Sequence, residues 1–179
     1  MEIITRPWSD IDDATKRACA ALWEMVWPSG NEPDVEARLH KMSDSWASLP
    51  SLLTHLAFDA QHQLVAVARS FEHTIGYGDD DRPVIALAGV CSDPHRRGEG
   101  FGDAVVRAAF RRVDQTGFVS LFQTPVPAFY ERFGSRLIDN LITTSKPGAK
   151  PFEDPWAMVH PASTDWDDAL PIDLRTDGW

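Results

Sequence analysis

The sequence predicts one α+β domain in which helices flank a sheet with a buried central strand. Its 179 residues suit a single domain with an ordinary hydrophobic core. Residues 84–91 carry no charged side chain, so both faces of this predicted strand should be covered. A glycine-rich segment at 96–103 follows, and apolar residues then recur at helical spacing, namely Val105, Val106, Ala109, Phe110 and Val113. A strand, a glycine loop and a helix therefore form the centre of the predicted domain.

A first strand and two helices are predicted before this centre. Residues 2–6 favour a short strand, and Ser9 is a suitable cap for a helix that begins there. The apolar face of that helix would comprise Ile11, Ala14, Ala18, Leu22 and Met25. Residues 28–33, with two prolines and a glycine, should end the first helix, and Asp34 can cap the second.

A hairpin should connect these helices to the central strand. Residues 52–58 and 64–71 are typical of two strands, the second continuing through Thr74, and the polar residues 59–63 favour the turn between them. Residues 76–83, rich in glycine and aspartate, predict a further turn into the central strand.

Shorter elements are expected after the helix that leaves the glycine loop. Strands are predicted at 118–122, 137–143 and 156–160. A short helix should begin at Pro127 and end at Gly134. From Pro161 onward the sequence predicts little regular structure.

Composition limits the classes of function. The formal net charge of −10 argues against a nucleic-acid partner, because binding to phosphates needs a basic surface. Cys19 and Cys91 fall in predicted core elements, which favours reduced thiols over a disulfide. The six histidines lack ligand spacing, so we expect no metal site. No apolar run approaches the ~20 residues that span a bilayer, and residues 1–6 lack the form of a signal peptide, so we expect a soluble, cytoplasmic protein without a membrane partner.

Residues 151–179 are an acidic segment. They hold seven carboxylate side chains, Glu153, Asp154, Asp165, Asp167, Asp168, Asp173 and Asp177, against one basic residue, Arg175. Such a surface would favour a cationic substrate, although acidity also keeps proteins soluble.

The glycine loop is suited to holding phosphate, because glycines allow close approach of the backbone and a helix N-terminus attracts anions. A dinucleotide fingerprint fits poorly, since Asp103 stands where its third glycine should be, and no Gly-Lys-Ser/Thr follows as a Walker A loop requires. The pattern Arg97-x-x-Gly100-x-Gly102 resembles that of the GNAT superfamily of acyl-CoA-dependent N-acyltransferases. Residues 129–134, Phe-Tyr-Glu-Arg-Phe-Gly, resemble a second motif of that superfamily. A plain glycine turn with solvated arginines is the alternative interpretation.

This resemblance implies a mixed, mostly antiparallel sheet flanked by helices, with acyl-CoA in the opening beside the central strand. It implies that acetyl-CoA is the cosubstrate and that its pyrophosphate lies at Arg97, Gly98, Gly100, Gly102 and Asp103. It also implies that the main chain of Val90 and Ser92 pairs with the pantetheine arm. Tyr130 would assist the departing thiolate, although it could instead simply pack on the short helix.

The catalytic base is missing from its usual place, because many members of the family carry a glutamate on the central strand where this sequence has Ala86 and Ala88. If the chain is active, the resemblance leaves Glu72, His73 and Asp34 as candidates. Glu72 and His73 could equally be solvated residues at the end of a strand.

On the acceptor side, the resemblance makes the first two helices one wall of the site, with Trp27, Glu32 and Asp34 as candidate contacts. Residues Asp177 to Trp179 are similar to the end of the aminoglycoside 2'-N-acetyltransferases, which folds into the acceptor site, so we expect the tail at 161–179 of this single domain to fold back there. The predicted function is transfer of an acetyl group from acetyl-CoA to a primary amine on a small cationic molecule, aminoglycoside-like or polyamine-like. Acetylation of protein lysines or N-termini, and a non-catalytic acyl-CoA-binding module, are the alternatives. A homodimer is a further expectation.

Overall fold

The computed structural model describes residues 1–47, 49 and 51–179, which form two compact units. The first unit contains residues 1–71 and 89–109, and the second contains residues 72–88 and 110–179. Through the first unit the chain forms β1 (Glu2–Pro7), α1 (Asp13–Val26), α2 (Val35–Ala47), β2 (Leu53–Phe58), β3 (Leu64–Tyr77), β4 (Asp80–Ser92) and α3 (Phe101–Thr116). It continues with β5 (Val119–Thr124), α4 (Pro127–Glu131), β6 (Arg136–Ile138), β7 (Ile142–Thr143), β8 (Trp156–His160) and β9 (Ile172–Asp173). Strands β3 and β4 and helix α3 contribute residues to both units.

In the first unit, β1, β2 and β3 form an antiparallel meander, in which Ile4 lies opposite Leu56 and Leu56 opposite Val67. The predicted strands here are confirmed. The predicted cap of α1 is wrong, because Ser9 lies in a short 3-10 helix. Asp12 caps α1 instead by accepting a hydrogen bond from the backbone N–H of Thr15 at 2.9 Å. Asp34 caps α2 as predicted, through the N–H of Ala37 at 2.9 Å.

Helix α1 buries only part of the face that the sequence pattern predicts: Leu22 is buried as predicted, but the rest of the buried face is shifted toward Cys19 and Trp23. Cys19, Leu22 and Trp23 are buried, whereas Met25 is 52% exposed. The indole of Trp23 packs edge-on against that of Trp46, with ring centroids 4.7 Å apart. Large aromatic rings bury more apolar surface than alanines do, so the tryptophans decide the rotation of the helix. Both cysteines are free and buried, which confirms the prediction of reduced core thiols.

Strands β3 and β4 form a hairpin with a tighter turn than predicted. Only Gly78 and Asp79 separate the two strands, and Gly78 has a φ of +62°, as such two-residue turns require. The central strand is confirmed, because β4 lies between β3 and β5 and residues 84–88 are all buried.

In the second unit, the strand order is β4, β5, β8, β6, with β5 parallel to β4 and β8 antiparallel to β5 and β6. The predicted strand at 137–143 is divided into β6 and β7. Between them the amide of Asn140 donates to the carbonyls of Asp167 and Leu170, and it accepts from the indole of Trp166. A buried amide with these partners fixes an irregular backbone there.

The segment after Pro161 is more ordered than the sequence predicts. Trp166, Ile172 and Leu174 are buried, and β9 pairs with both β3 and β7. Within the described part of the chain, no helix combines the length and apolar character that crossing a membrane would need.

Candidate functional site

The carboxyl end of β4 carries a distortion at Gly89. The register of β4 with β5 runs from Val84 to Ala86, and Gly89 then adopts a φ of +56° inside the strand. A glycine with left-handed backbone in a strand marks a bulge, which bends the strand and interrupts its ladder of hydrogen bonds. Val90 and Ser92, predicted to hold the pantetheine arm, follow directly after this bulge.

Gly89 is required by its neighbour as well as by its backbone. A Cβ atom at this position would lie 2.4 Å from Cζ2 of Trp23, closer than real contacts allow. The indole Nε1 of Trp23 also donates a hydrogen bond to the carbonyl of Gly89 at 3.2 Å. The buried indole therefore holds the bulge in place.

The loop after β4 leads the backbone into α3 through two left-handed glycines. Gly98 and Gly100 have φ values of +85° and +84°, and a Cβ at either would meet nothing within 4 Å. These glycines are therefore needed for backbone conformation, and the space around them is open. Helix α3 begins at Phe101, and the N–H groups of its first turn have no acceptor within the helix. An anion is the ligand that such a helix start binds best.

Two neighbouring arginines of this loop have different surroundings. Arg96 is anchored, with Nη1 3.0 Å from Oδ2 of Asp59 and Nε 2.7 Å from Oε1 of Glu99. Its guanidinium lowers the pKa of the Glu99 carboxyl and offsets that negative charge. Arg97 is exposed, and its side chain has no ion pair within residues 1–47, 49 and 51–179. Arg97 is thus the cation of this loop that can turn to a ligand.

Tyr130 lies on the short helix α4, which begins at Pro127 as predicted but ends at Glu131, before Gly134 with its φ of +81°. The tyrosine is buried, and its ring centroid lies 4.7 Å from that of Phe122 and 4.9 Å from that of Phe129. Aromatic neighbours on two sides fix the direction of the phenol ring.

The two base candidates at the end of β3 have different partners. Glu72 accepts a hydrogen bond from Nη2 of Arg112 at 2.9 Å, so its carboxylate is engaged by a cation. Nε2 of His73 is 2.7 Å from the carbonyl oxygen of Leu174. Because a carbonyl only accepts, Nε2 must carry the hydrogen, and the lone pair of a neutral ring then lies on Nδ1. The contact with Leu174 therefore selects the tautomer of a neutral His73 ring.

Trp179 packs against the same histidine, with ring centroids 5.3 Å apart. Its indole Nε1 donates to the carbonyl of Leu121 at 3.0 Å. Asp177 is 3.0 Å from Nζ of Lys146, which lowers the pKa of the Asp177 carboxyl, and it also accepts from the N–H of Lys150. Within the second unit, the tail therefore contacts His73 through Trp179, and the charge of Asp177 is paired with that of Lys146.

The predicted site residues are distributed between the two units. In the first are Trp27, Asp34, Val90, Ser92, Arg97, Gly98, Gly100, Gly102 and Asp103. In the second are Glu72, His73, Tyr130, Asp177 and Trp179. Trp27 is 47% exposed and so is available to contact an acceptor. The carboxylate of Asp34 caps α2, which makes Asp34 a weaker candidate for the base than His73.

Two features of this region are not among the predicted site residues. Gly89 could have been recognised, because an isolated glycine in an apolar strand signals a bulge. Arg69 on β3 could have been flagged as a charge within the predicted strand at 64–71. Its guanidinium carbon lies 5.1 Å from the ring centroid of Trp23 and 4.5 Å from that of Trp46. That stacking depends on helices distant in sequence and could not have been predicted.

In the described residues, no group of three or more histidine, cysteine, aspartate or glutamate side chains is arranged to hold a metal ion.

Comparison with known proteins identifies the family. A model of the acetyltransferase (GNAT) domain matches residues 9–138, most of the chain, so the chain belongs to the GNAT acetyltransferases. The predicted family, fold and enzyme class, an acyltransferase, are therefore confirmed. The more specific resemblance to the aminoglycoside 2'-N-acetyltransferases stays a prediction.

Several solved structures have a similar fold. A GNAT family N-acetyltransferase (YhbS) from Escherichia coli in complex with CoA has a TM-score of 0.62 and 19% identity, covering 97% of this chain and 90% of that one. An aminoglycoside antibiotic 6'-N-acetyltransferase from Acinetobacter haemolyticus has a TM-score of 0.50 and 22% identity, covering 66% of this chain and 74% of that one. A GCN5-related N-acetyltransferase from Kribbella flavida has a TM-score of 0.57 and 18% identity over 76% of this chain, which spans only 33% of that protein's length. A comparison with curated proteins gives no significant match.

Proposed function

We propose that this protein transfers an acetyl group from acetyl-CoA to a primary amine. The observation that carries the proposal is the loop before α3, in which Gly98 and Gly100 are left-handed in open space and Arg97 has no acidic partner in the described residues. Because Arg96 offsets Glu99, the negative charge beside this loop is reduced where a pyrophosphate would approach.

The donor would be held mainly by the main chain. In this proposal the N–H groups of Gly98, Gly100, Gly102 and Asp103 point toward the pyrophosphate, and Arg97 contributes a charged hydrogen bond. The main chain of Val90 and Ser92, after the bulge at Gly89, pairs with the pantetheine arm as an added strand would. Acetyl-CoA supplies the thioester.

The reaction forms a bond from the amine nitrogen to the acetyl carbon and breaks the bond from that carbon to sulfur. The amine must be neutral to attack, and we assign the removal of its proton to His73, with Glu72 as the alternative. The tetrahedral intermediate needs a donor for its oxyanion, which we assign to the backbone N–H near Val90. Tyr130 donates a hydrogen bond or a proton to the departing thiolate.

The acceptor class rests on the charge of the tail, whereas the donor rests on the glycine loop. The acidic tail favours a small cationic amine such as an aminoglycoside or polyamine, and we propose that residues 161–179, with Trp27, border the acceptor. Several tail carboxylates are already paired, however: Asp168 with Arg136, Asp177 with Lys146, and Glu153 with Lys150. The attraction for a cation is therefore smaller than the sequence alone implies. A homodimer stays a prediction.

Donor binding is tested by Gly100→Asp, which forces a side chain into left-handed backbone and places a carboxylate at the phosphate site. We expect acetyl-CoA affinity measured by calorimetry to fall below detection. Gly117→Asp is the matched control, because Gly117 has a φ of +71° in equally open space at the other end of α3. Unchanged acetyl-CoA affinity in Gly100→Asp would contradict the proposal.

The acceptor is tested with a panel of small amines and lysine-containing peptides, followed by release of free CoA thiol. Faster turnover of small amines supports the proposed class, and faster turnover of peptides supports a protein acetyltransferase. Binding of acetyl-CoA without acetylation of any amine would indicate a non-catalytic module.

A further inference from the structure

Arg69 occupies an unusual position on β3 of the first unit. The residue is half-buried, and its guanidinium lies against the ring of Trp23 on α1 and the ring of Trp46 on α2. Its Nε is 3.1 Å from the place where a Cβ on Gly89 would lie, so the side chain abuts the bulge of β4. An arginine here reaches the segment that the proposed function gives to the thioester end of acetyl-CoA.

The guanidinium of Arg69 has no anionic partner in the described ranges 1–47, 49 and 51–179, nor a hydrogen bond to any residue in them. Its Nε is shielded from solvent and unpaired. Two other arginines with little exposed surface differ, since Arg112 pairs with Glu72 and Arg38 pairs with Glu24. Burial lowers the pKa of Arg69 only to about 10, so the group remains charged at neutral pH.

Among the described residues, the guanidinium of Arg69 lacks the hydrogen-bond acceptors and the counter-ion that usually stabilise a buried charge. The indole faces attract the cation, but they offer no lone pairs to its N–H groups. A partly desolvated ion without a counter-ion is costly, and arginine's planar fork matches a carboxylate through two parallel hydrogen bonds. The site is therefore complementary to a carboxylate that comes from outside the chain.

Resting on the proposed acetyl transfer to a primary amine, we propose that the acceptor also carries a carboxylate, as an amino acid does, and that Arg69 binds that carboxylate. This acceptor replaces the carboxylate-free aminoglycoside or polyamine that the acidic tail favours. The phosphates of the donor are already assigned to the loop at Arg97, so the anion at Arg69 belongs to the acceptor. Trp23 and Trp46 hold the guanidinium in place. An amino acid has the ammonium group that an acidic protein surface attracts, and its carboxylate supplies the anionic partner that the Arg69 guanidinium lacks in the described part of the chain.

The experiment compares amino acids with the amines that their decarboxylation leaves, for example L-phenylalanine with 2-phenylethylamine. Initial rates of CoA release give kcat/KM for wild type, Arg69→Gln and Arg69→Lys. We expect wild type to prefer the carboxylate-bearing member of a pair, and Arg69→Gln to lose roughly 10- to 100-fold on that member alone, since a hydrogen bond to a charged group is worth that much. Acetyl-CoA affinity should not change.

Arg82→Gln is the matched control. Its guanidinium also lies over two aromatic rings, those of Tyr77 and Trp166, but it donates to the carbonyl of Asp165 at 2.8 Å. This variant should lose no preference for the carboxylate. Equal losses on both members of a pair in Arg69→Gln, or no preference in wild type, would overturn the proposal while leaving acetyl transfer intact.

A second measurement is independent of acetyl transfer. Trp23 and Trp46 flank the guanidinium, so titration with the standard amino acids, without acetyl-CoA, should change tryptophan fluorescence in wild type and in Arg82→Gln but not in Arg69→Gln. If Arg69→Gln does not fold, Arg69→Lys takes its place, with weaker binding expected because lysine lacks the planar fork. No binding that depends on Arg69 would overturn the proposal even if the enzyme acetylates other amines.

Discussion

Gly89→Ala perturbs the bulge of β4 in two ways. Its φ of +56° is unfavourable for alanine by about 1–2 kcal/mol. The new Cβ would also lie 2.4 Å from Cζ2 of Trp23. That indole cannot easily move, because it is buried, packs on Trp46 and donates to the carbonyl of Gly89. Overpacking of this kind costs about 1–3 kcal/mol. Together these effects predict a loss of roughly 2–5 kcal/mol of folding free energy.

Thermal unfolding followed by circular dichroism measures this loss. For a chain of this size each kcal/mol lowers the midpoint by about 2–4 °C, so Gly89→Ala should unfold roughly 4–20 °C below wild type. Gly117→Ala is the control, because Gly117 has a φ of +71° but nothing within 4 Å of an added Cβ. It should lose only the backbone part, about 1–2 kcal/mol. Equal midpoints for the two variants would refute the role assigned to the Trp23 contact.

Three further predictions concern the loop and the chemistry. Arg97→Gln should weaken acetyl-CoA binding roughly 10-fold in calorimetry with little change in stability. Arg96→Gln should mainly lower the melting temperature, because Arg96 is anchored by ion pairs to Asp59 and Glu99. The reverse pattern would contradict the assignment of Arg97 to the phosphates and of Arg96 to the structure of the loop. The N–H of Gln63 and the guanidinium of Arg96 hold the pKa of Asp59 below its usual value, so its contribution to stability is complete above roughly pH 4 and is lost as the pH falls through the folded-state pKa. The gap in melting temperature between wild type and Asp59→Asn should therefore narrow in acid, and a gap independent of pH would count against this ion pair. Tyr130→Phe should reduce kcat roughly 10- to 100-fold with unchanged acetyl-CoA affinity, and an unchanged kcat would leave Tyr130 with only a packing role.

The family and the donor side could be predicted from local sequence. The loop from Arg97 to Gly102 and the strand before it determine their structure through short-range effects, namely left-handed glycines, an apolar run and a helix start. Asp34 caps α2, and Gly134 closes the turn after α4, for the same reason. Signals of this kind act within a few residues, so one sequence is enough to reveal them.

Where aromatic packing decides, the sequence pattern was insufficient. The helical periodicity of α1 predicted Ala14, Ala18 and Met25 on the buried face, but the indoles of Trp23 and Trp46 turned the helix. The segment after Pro161 lacked periodicity, yet its buried apolar residues and β9 pack it into the second unit. Burial gained from distant residues outweighed the local pattern in both cases.

The sequence by itself determined the class of enzyme and the residues suited to acetyl-CoA, because a phosphate loop is encoded in consecutive positions. Only the tertiary structure decided which charges are already paired. It joined Arg96 to Asp59 and Asp177 to Lys146, it placed His73 against a carbonyl that selects its tautomer, and it surrounded Arg69 with indoles but no carboxylate in the described residues. The reason is that charge pairing and desolvation depend on distances in space between residues far apart in the chain.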